Sequence, residues 1–193
     1  MAWHGGYDAN LWKRAADAAK ELITKIESQG GYALVNTGNP RMDFRDAYYN
    51  RGNGEILIST RIYYRTNDAG GDNSYTYAGM DLFQGHGIAC PTQESVDMFG
   101  MASGLPITDL TAGYNPNDPY IDRDPRLYES AMVNGDTYRG RTVELWIGGR
   151  ERTNQSAWRA GSGYDSKKFI LDNDEATSRG SVIQFPYIRL AEV

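Results

Sequence analysis

One amphipathic stretch near the start of the chain constrains its fold more than any other feature. From about Asp8 to Gln29, apolar residues recur at the i, i+3, i+4 spacing that places them on one face of a helix. They are Trp12, Ala15, Ala16, Ala19, Leu22, Ile23 and Ile26. Asp8 or Asn10 can cap the first turn, and Gly30–Gly31 ends the helix. Because alanine is small, this face favours close packing against another helix, and no matching partner is evident elsewhere in the sequence.

The middle of the sequence predicts short strands and long loops. Glu55 to Tyr64 is rich in β-branched and aromatic residues and is the best strand candidate. Thr66 to Ala89 shows no sustained period, and a loop of that length is usually functional or disordered. Asn134–Gly135 is typical of a hairpin turn, after which Thr142 to Ile147 is expected to pair back as a strand.

Two further helices are expected later in the chain. One opens at Pro91, with Thr92 as its N-cap and Glu94 in the first turn, where a negative charge suits the helix dipole. The other starts at Pro186, because proline suits the first helical turn, and runs to Val193. A helix this short is marginal in isolation. We therefore expect the last segment to be the beginning of a longer helix that is cut at the end of the sequence.

The composition excludes several classes of protein. Leu, Ile, Val and Phe make up 34 of 193 residues, about 18%, slightly below the level that marks disorder. The net charge is only −5, however, and 14 Tyr and 4 Trp add apolar area, so we expect a folded, aromatic-rich chain. The sequence contains no run of about 18 apolar residues, the length that a membrane-spanning helix needs. The excess of acidic residues argues against a dedicated nucleic-acid binder. The first six residues lack the pattern of a signal peptide, and one Cys allows no internal disulfide.

Carboxylates offer the main enzymatic alternative. Asp122 or Asp124 together with Glu144 could form the pair of carboxylates that a glycoside hydrolase needs. A simpler role for Asp124 is structural: it caps the turn that the next proline starts, while Arg123 or Arg126 pairs with it. Motifs for phosphate binding or a nucleophile elbow do not occur.

Thiol and metal sites are weakly indicated. Cys90 and His86 could form a nucleophile and its base, but no orienting group is evident. One Cys and two His cannot build a standard structural zinc site. Asp68, Asp72 and Asn73 could offer oxygen atoms to calcium, although their spacing is not that of a twelve-residue calcium loop. We therefore predict no cofactor, with calcium as the alternative.

Aromatic residues are concentrated in two loop regions. The long loop and the strand before it hold five of them, and a glycine- and serine-rich stretch holds two more: Tyr63, Tyr64, Tyr75, Tyr77, Phe83, Trp158 and Tyr164. Sugar rings have apolar C–H faces that stack on aromatic rings, while Asn, Asp and Arg bond the hydroxyls. The composition of these regions is thus compatible with a carbohydrate site, although tyrosine is also a common half-buried residue.

Several motifs, in this order, resemble the SusD/RagB family of outer-membrane nutrient-binding lipoproteins of Bacteroidota. The most specific are PTQESVDMF at 91–99, RDPRL at 123–127 and IRLAEV at 188–193, with GYDSKKF at 163–169 between the last two. The succession covers nearly the whole chain, and a typical member of the family is more than twice this length.

This resemblance implies a mainly α fold with irregular, loop-rich and short β segments. Tetratricopeptide-like helix pairs would form a scaffold, and an irregular insertion would pack on it. Within a single partial domain over residues 1–193, residues 8–29 would be one scaffold helix and 30–185 the insertion. Residues 186–193 would be the start of a truncated scaffold helix.

The resemblance also implies a function. Family members are surface-exposed lipoproteins of the outer membrane that bind glycans, or sometimes peptides, without being enzymes. They capture an oligosaccharide for a SusC-like TonB-dependent transporter. The cysteine that carries their lipid anchor has no counterpart in this chain, because Cys90 is internal and does not match a lipobox.

Binding residues vary among family members with the ligand, so the candidate site residues are chosen here by position. Four aromatics are expected to stack on sugar rings, and Asp72 or Asn73 is expected to bond hydroxyl groups. The aromatics are Tyr75, Tyr77 and Phe83 in the long loop and Trp158 in the glycine- and serine-rich stretch. Besides the hydrolase, the alternative is a piece that docks on the transporter and touches no ligand.

Overall fold

The computed structural model describes residues 6–50, 52–61, 90–138, 140–152, 162–168 and 184–193. Its first helix, α1, spans Ala9–Gln29 and confirms the amphipathic prediction. The Asp8 side chain caps it by accepting a hydrogen bond from the Asn10 N–H at 2.8 Å. Gly30 ends the helix with a positive φ of 71°, and its N–H donates to the Ile26 carbonyl oxygen. No residue of α1 is buried by the described residues.

The second helix, α2, spans Pro40–Tyr49. Asn39 caps its start by accepting hydrogen bonds from the Arg41 and Met42 N–H groups, and Pro40 occupies the first turn, where no N–H is needed. The helix buries Ala47 and Tyr48. Its first turn directs Arg41 toward the central part of the chain, which decides the geometry of the site below.

Strand β1, Ile56–Arg61, pairs antiparallel with strand β6, Gln184–Arg189. The prediction of a strand after Glu55 is confirmed over the residues that the structure describes. The helix predicted from Pro186 to Val193 is wrong: these residues continue β6 and then form a single 3-10 turn at Leu190–Glu192.

The physical reason for this correction is the partner strand. Pro186 lies opposite Ser59, beside a register shift in a ribbon that has two strands among the described residues. Proline is tolerated in edge strands and at bulges, where its missing N–H need not break the ladder of hydrogen bonds. Tyr187 and Ile188 favour extended backbone. Pro186 is therefore compatible with this strand as well as with the first turn of a helix.

The central part of the chain consists of short elements. Helix α3 spans Gln93–Asp97 and helix α4 spans Leu127–Ser130. Four two-residue strands and a 3-10 turn follow: β2 Ala131–Met132, β3 Thr137–Tyr138, β4 Arg141–Thr142, the turn Arg150–Arg152 and β5 Asp165–Ser166. β2 pairs with β5, and β3 pairs with β4.

The sequence predicted an N-cap at Thr92 and a hairpin at Asn134–Gly135 in this region, and the two predictions have different outcomes. Helix α3 has the predicted N-cap, since the Thr92 hydroxyl oxygen accepts from the Ser95 N–H. Asn134–Gly135 does form a turn, with the Asp136 N–H donating to the Val133 carbonyl oxygen at 3.2 Å. The chain reverses further on, however, between β3 and β4, so that residues 142–147 do not pair with the segment before the turn.

The core of this part lies around α4. Five buried side chains pack together, with Phe99, Tyr120 and Tyr128 partly buried against them. The five are Val96, Leu127, Ala131, Val133 and Tyr164. Three of the motifs quoted above, PTQESVDMF, RDPRL and GYDSKKF, therefore supply residues to one small core.

By contrast, the apolar face of α1 borders an open groove. This groove has a volume of about 730 Å³, and its other side is formed by the β1–β6 ribbon with Leu57, Ile58 and Ile188. Trp12 is 53% exposed and Ile58 54% exposed. Among the described residues, strands and not a second helix border this face of α1.

The predicted mixture of irregular, loop-rich and short β segments matches the described residues. Helical structure there is limited to the helices α1 to α4 and two 3-10 turns, so the described part is less helical than the predicted mainly α fold. Within these same ranges, no helix combines the length and the apolar character needed to cross a bilayer.

Candidate functional site

The RDPRL motif fixes one wall of a cleft through Arg123. This side chain is only 2% exposed, and its guanidinium donates to four main-chain carbonyl oxygens. The acceptors are those of Val96, Phe99, Gly100 and Pro119, at 2.7–3.2 Å. The planar arginine fork can satisfy several acceptors at once. Arg123 thereby connects the end of α3 to residues 117–121, the loop of the cleft wall that lies just before Arg123 in the sequence.

Two tyrosines brace the same loop. Tyr128 donates its hydroxyl hydrogen to the Tyr120 carbonyl oxygen, and its hydroxyl oxygen accepts from the Arg123 N–H at 3.2 Å. Tyr120 donates to the Tyr164 hydroxyl at 3.1 Å, which in turn donates to Gln93 Oε1 at 2.7 Å. Burial, and then the hydrogen bond to Tyr164, raises the pKa of Tyr120, so its phenol stays neutral.

An ion cluster forms the floor of the cleft. Arg41 donates through Nε to Glu129 Oε1 at 2.6 Å and through both terminal nitrogens to Asp136. Lys167 Nζ lies 3.4 Å from Glu129 Oε1 and 3.3 Å from Asp136 Oδ2. Burial works against the charged form of Arg41, but the hydrogen bonds to Glu129 and Asp136 outweigh it and raise its pKa. The cluster thus joins helices α2 and α4 to the residue before β3, Asp136, and to the residue after β5, Lys167.

Between these parts lies an open cleft of about 470 Å³, within the range of small-molecule sites. It is lined by Arg41, Tyr128, residues 117–121 and residues 133–136. Asn117, Asp118 and Asn134 are exposed on it, and Tyr120 and Tyr128 are half-buried beside them. Amide, carboxylate and guanidinium groups next to aromatic rings can bond hydroxyl groups and contact apolar C–H surface at the same time.

The structure does not test the site residues predicted from the sequence. Asp72, Asn73, Tyr75, Tyr77, Phe83 and Trp158 lie outside the described residues, as do Asp68 and His86. Tyr164 is described, and it is a core residue, 5% exposed, with its hydroxyl bonded to Gln93. Packing in the core is therefore a sufficient reason for an aromatic residue at position 164. In the ranges described, no group of three or more His, Cys, Asp or Glu side chains could hold a metal ion.

Two of the three carboxylates of the hydrolase alternative, Asp124 and Glu144, have structural partners. Asp124 Oδ1 accepts from the Arg126 N–H at 2.9 Å, and both carboxylate oxygens accept from the Arg126 side chain. Burial raises the pKa of Asp124, but the Arg126 hydrogen bonds prevail and lower it. Glu144 Oε2 accepts from the Arg150 N–H at 3.1 Å. The predicted turn with Arg126 is confirmed, and a lowered pKa is the opposite of what a general acid requires.

Sequence reasoning missed the cleft itself. Its polar residues stand in GYNPNDPY at 113–120 and in Asn134–Gly135–Asp136, whose composition is typical of turns. Both segments do form turns, because the Asn117 N–H donates to Asn115 Oδ1 and the Asp136 N–H to the Val133 carbonyl. Two turn patterns rich in Asn and Asp within one chain were the available indication. Their meeting with Arg41 depends on packing across the fold.

Comparison with known proteins gives a consistent result. A family model described as the SusD family matches residues 54–193. A solved SusD-like carbohydrate binding protein from Bacteroides fragilis NCTC 9343 superimposes with a TM-score of 0.68 at 21% identity, covering 94% of this chain and 34% of that one. A second SusD-like protein of the same organism gives a TM-score of 0.63 at 22% identity, covering 93% and 38%. The chain thus spans little more than a third of the length of these relatives. No curated protein matches it.

Proposed function

The chain belongs to the SusD family, and from this premise we propose that it is a glycan-binding component of a SusC/SusD-type nutrient uptake system. In this role it captures an oligosaccharide at the cell surface and delivers it to a TonB-dependent transporter. One of the solved relatives is itself described as a carbohydrate binding protein. The observation that carries the proposal in this chain is the cleft in which exposed Asn117, Asp118 and Asn134 stand beside Tyr120 and Tyr128.

Binding in the cleft would divide polar and apolar contacts between different side chains. Asn117 and Asp118 are exposed and can exchange hydrogen bonds with sugar hydroxyls. The side-chain oxygen Oδ1 of Asn134 accepts a hydrogen bond from the Leu145 N–H at 3.0 Å, which leaves the side-chain NH₂ group as the donor for a ligand. The wall itself is held by Arg123 and the tyrosine hydrogen bonds, so little ordering is needed when a ligand enters.

The loop aromatics complete the proposal. Tyr75, Tyr77, Phe83 and Trp158 remain our prediction for the residues that stack on sugar rings, with Asp72 or Asn73 as hydroxyl partner. A long oligosaccharide could contact both the cleft and these residues. We propose no cofactor, with calcium at Asp68, Asp72 and Asn73 as the alternative.

We further propose that the protein binds glycans without cleaving them. The lowered pKa and the arginine pairing of Asp124 support this, because they leave that carboxyl unsuited to donate a proton. Incubation with polysaccharides and an assay for new reducing ends tests the point. Turnover that Asp124→Asn abolishes would establish the hydrolase instead.

Three sets of variants test glycan binding and its location. The panel comprises neutral polysaccharides (starch, β-glucan, mannan and galactan) and charged ones (polygalacturonate and chondroitin sulfate). Calorimetry compares the unchanged chain with Asn117→Ala/Asp118→Ala, with Tyr75→Ala/Tyr77→Ala/Trp158→Ala, and with Glu27→Ala on the exposed surface of α1 as control.

We expect one glycan to bind, and the cleft variant to lose about tenfold or more in affinity, the equivalent of one or two hydrogen bonds. Glu27→Ala should leave affinity unchanged. Loss in the loop variant alone would move the site to the predicted aromatics. If no glycan binds the unchanged, folded chain, a piece that only docks on the transporter becomes the better account.

A further inference from the structure

The positive charges at the floor of the cleft are already engaged by the chain. An arginine has five N–H groups, and Arg41 makes four hydrogen bonds with them, to Glu129, Asp136 and the Tyr128 carbonyl oxygen. The Lys167 side chain is 2% exposed and lies against Asp136 and Glu129. A sulfate or uronate group binds best to a free arginine fork. Neither of these two cations presents one.

The described residues give the cleft a negative charge balance. Its described lining and floor hold two cations, Arg41 and Lys167, against three carboxylates, Asp118, Asp136 and Glu129. Arg41 is the one Lys or Arg among the described lining residues. The Asp136 side chain is only 11% exposed, whereas Asp118 is exposed on the wall. An entering anion therefore meets the Asp118 carboxylate before it meets an unpaired positive group, and like charges at short range repel.

Uncharged sugars meet no such penalty. Each hydroxyl can donate a hydrogen bond to the Asp118 carboxylate, and it can also accept one from the amides of Asn117 and Asn134. Hydrogen bonds from neutral hydroxyls to a carboxylate are stronger than those between neutral groups. The charge on Asp118 thus favours hydroxyl-rich neutral ligands while it repels acidic ones.

We propose that this cleft takes uncharged oligosaccharides and discriminates against those that carry uronate or sulfate groups. The inference rests on the proposed function, because it names the class of ligand for the same cleft.

The test uses matched pairs of ligand. Tetrasaccharide fragments are prepared from each neutral polysaccharide of the panel that binds, and the C6 hydroxymethyl groups of a second portion are oxidised to carboxylates, with linkage and length unchanged. Calorimetry at about 20 mM and about 500 mM salt then compares the two. We expect the uronate to bind about tenfold or more weakly at low salt, with a smaller gap at high salt because screening weakens the repulsion.

Two variants identify the cause of the discrimination. Asp118→Asn keeps a hydrogen-bonding side chain but removes the charge, and it should narrow the gap between the neutral and oxidised ligands at least threefold at low salt. Glu27→Gln removes one charge from α1, outside the cleft, and should leave the gap unchanged.

The outcomes separate the two proposals. Charged glycans that bind as well as or better than their neutral counterparts would overturn this inference while leaving glycan binding intact. A gap that Asp118→Asn does not alter would also overturn it, because its cause would lie elsewhere. If no glycan of either kind binds, the proposed function fails, and the inference fails with it.

Discussion

The guanidinium of Arg41 meets the carboxylate of Asp136 in a two-pronged contact, NH1 to Oδ1 at 3.3 Å and NH2 to Oδ2 at 3.1 Å, although 95 positions separate the two residues in the sequence. Through Nε the same side chain also bonds Glu129. Helix α2 is therefore fastened to the cleft by a largely buried ion cluster. Such a cluster contributes to stability only while every member keeps its partner.

Removal of Arg41 is expected to destabilise the fold strongly. Arg41→Gln leaves the nearly buried carboxylates of Glu129 and Asp136 with Lys167 as their remaining cation, and breaking a buried ion pair costs about 3–5 kcal/mol. Urea unfolding followed by circular dichroism measures the loss. Lys25→Gln, which breaks the exposed pair with Glu21, should cost less than about 1 kcal/mol. Equal costs would show that the cluster adds nothing beyond a surface pair.

The two arginines of the RDPRL motif are expected to differ in their tolerance of lysine. Arg123 serves four carbonyl oxygens in a buried position, and the lysine ammonium has only three donors on a shorter reach. Arg123→Lys should therefore lower the free energy of unfolding by about 2–4 kcal/mol, since buried acceptors lose their donors.

Arg126→Lys is the matched control within the same motif. The Arg126 side chain is 62% exposed, and Asp124 is its one side-chain partner among the described residues, so the change should cost less than about 1 kcal/mol. Thermal unfolding of both variants side by side makes the comparison. If Arg123→Lys costs as little stability as Arg126→Lys, Arg123 does not hold the cleft wall in the way proposed.

Asp124 predicts a specific pH dependence. Its pKa is lowered in the folded state, because the Arg126 hydrogen bonds outweigh burial. The stabilisation is thus present above the unfolded-state pKa of about 3.9 and is lost as the pH falls through the lower folded-state value. Asp124→Asn should cost about 0.5–1 kcal/mol at pH 7, because Arg126 is exposed. That difference should shrink as the pH falls below about 4, and urea unfolding at pH 7 and pH 3 checks the sign.

Local sequence rules worked where neighbouring residues decide the structure. Asp8, Thr92 and Gly30 act at the helix ends as predicted, and the Asp124–Arg126 turn formed as expected. Each of these features depends on contacts within a few positions of the chain. For Arg123, by contrast, the same local reasoning named it only as the alternative to Arg126 as the partner of Asp124. Its guanidinium instead points to carbonyl oxygens from residues up to 27 positions away.

The failures have the same origin. Residues 186–189 form a strand because β1, far earlier in the chain, supplies the hydrogen-bonding partner, and a local pattern cannot reveal that partner. The cleft was missed because Arg41, Asp118 and Asp136 come together only through packing. Turn-forming Asn and Asp residues carry no local mark that separates a plain turn from a ligand-facing one.

Helix α1 is expected to exchange its amide hydrogens much faster than the core. No residue of α1 is buried by the described part of the chain, and its two ion pairs, Lys13–Asp17 and Lys25–Glu21, lie on the surface. Surface pairs of this spacing add only a few tenths of a kcal/mol each. Most of the stability of a helix in a protein comes from packing of its apolar face, and the described residues leave that face of α1 largely uncovered. By contrast, Leu127, Ala131 and Val133 are each at most 1% exposed.

Hydrogen exchange with mass spectrometry can compare peptides from residues 9–29 and 127–133. We expect exchange in the first to be at least about 100-fold faster, because local opening of an unburied helix costs far less free energy than opening of the core. The Ala16→Leu variant, which enlarges the apolar face beside Trp12, should leave that rate nearly unchanged in the isolated chain. Protection of α1 equal to that of the core would contradict its exposure, and would show that the groove along the β1–β6 ribbon is covered in solution.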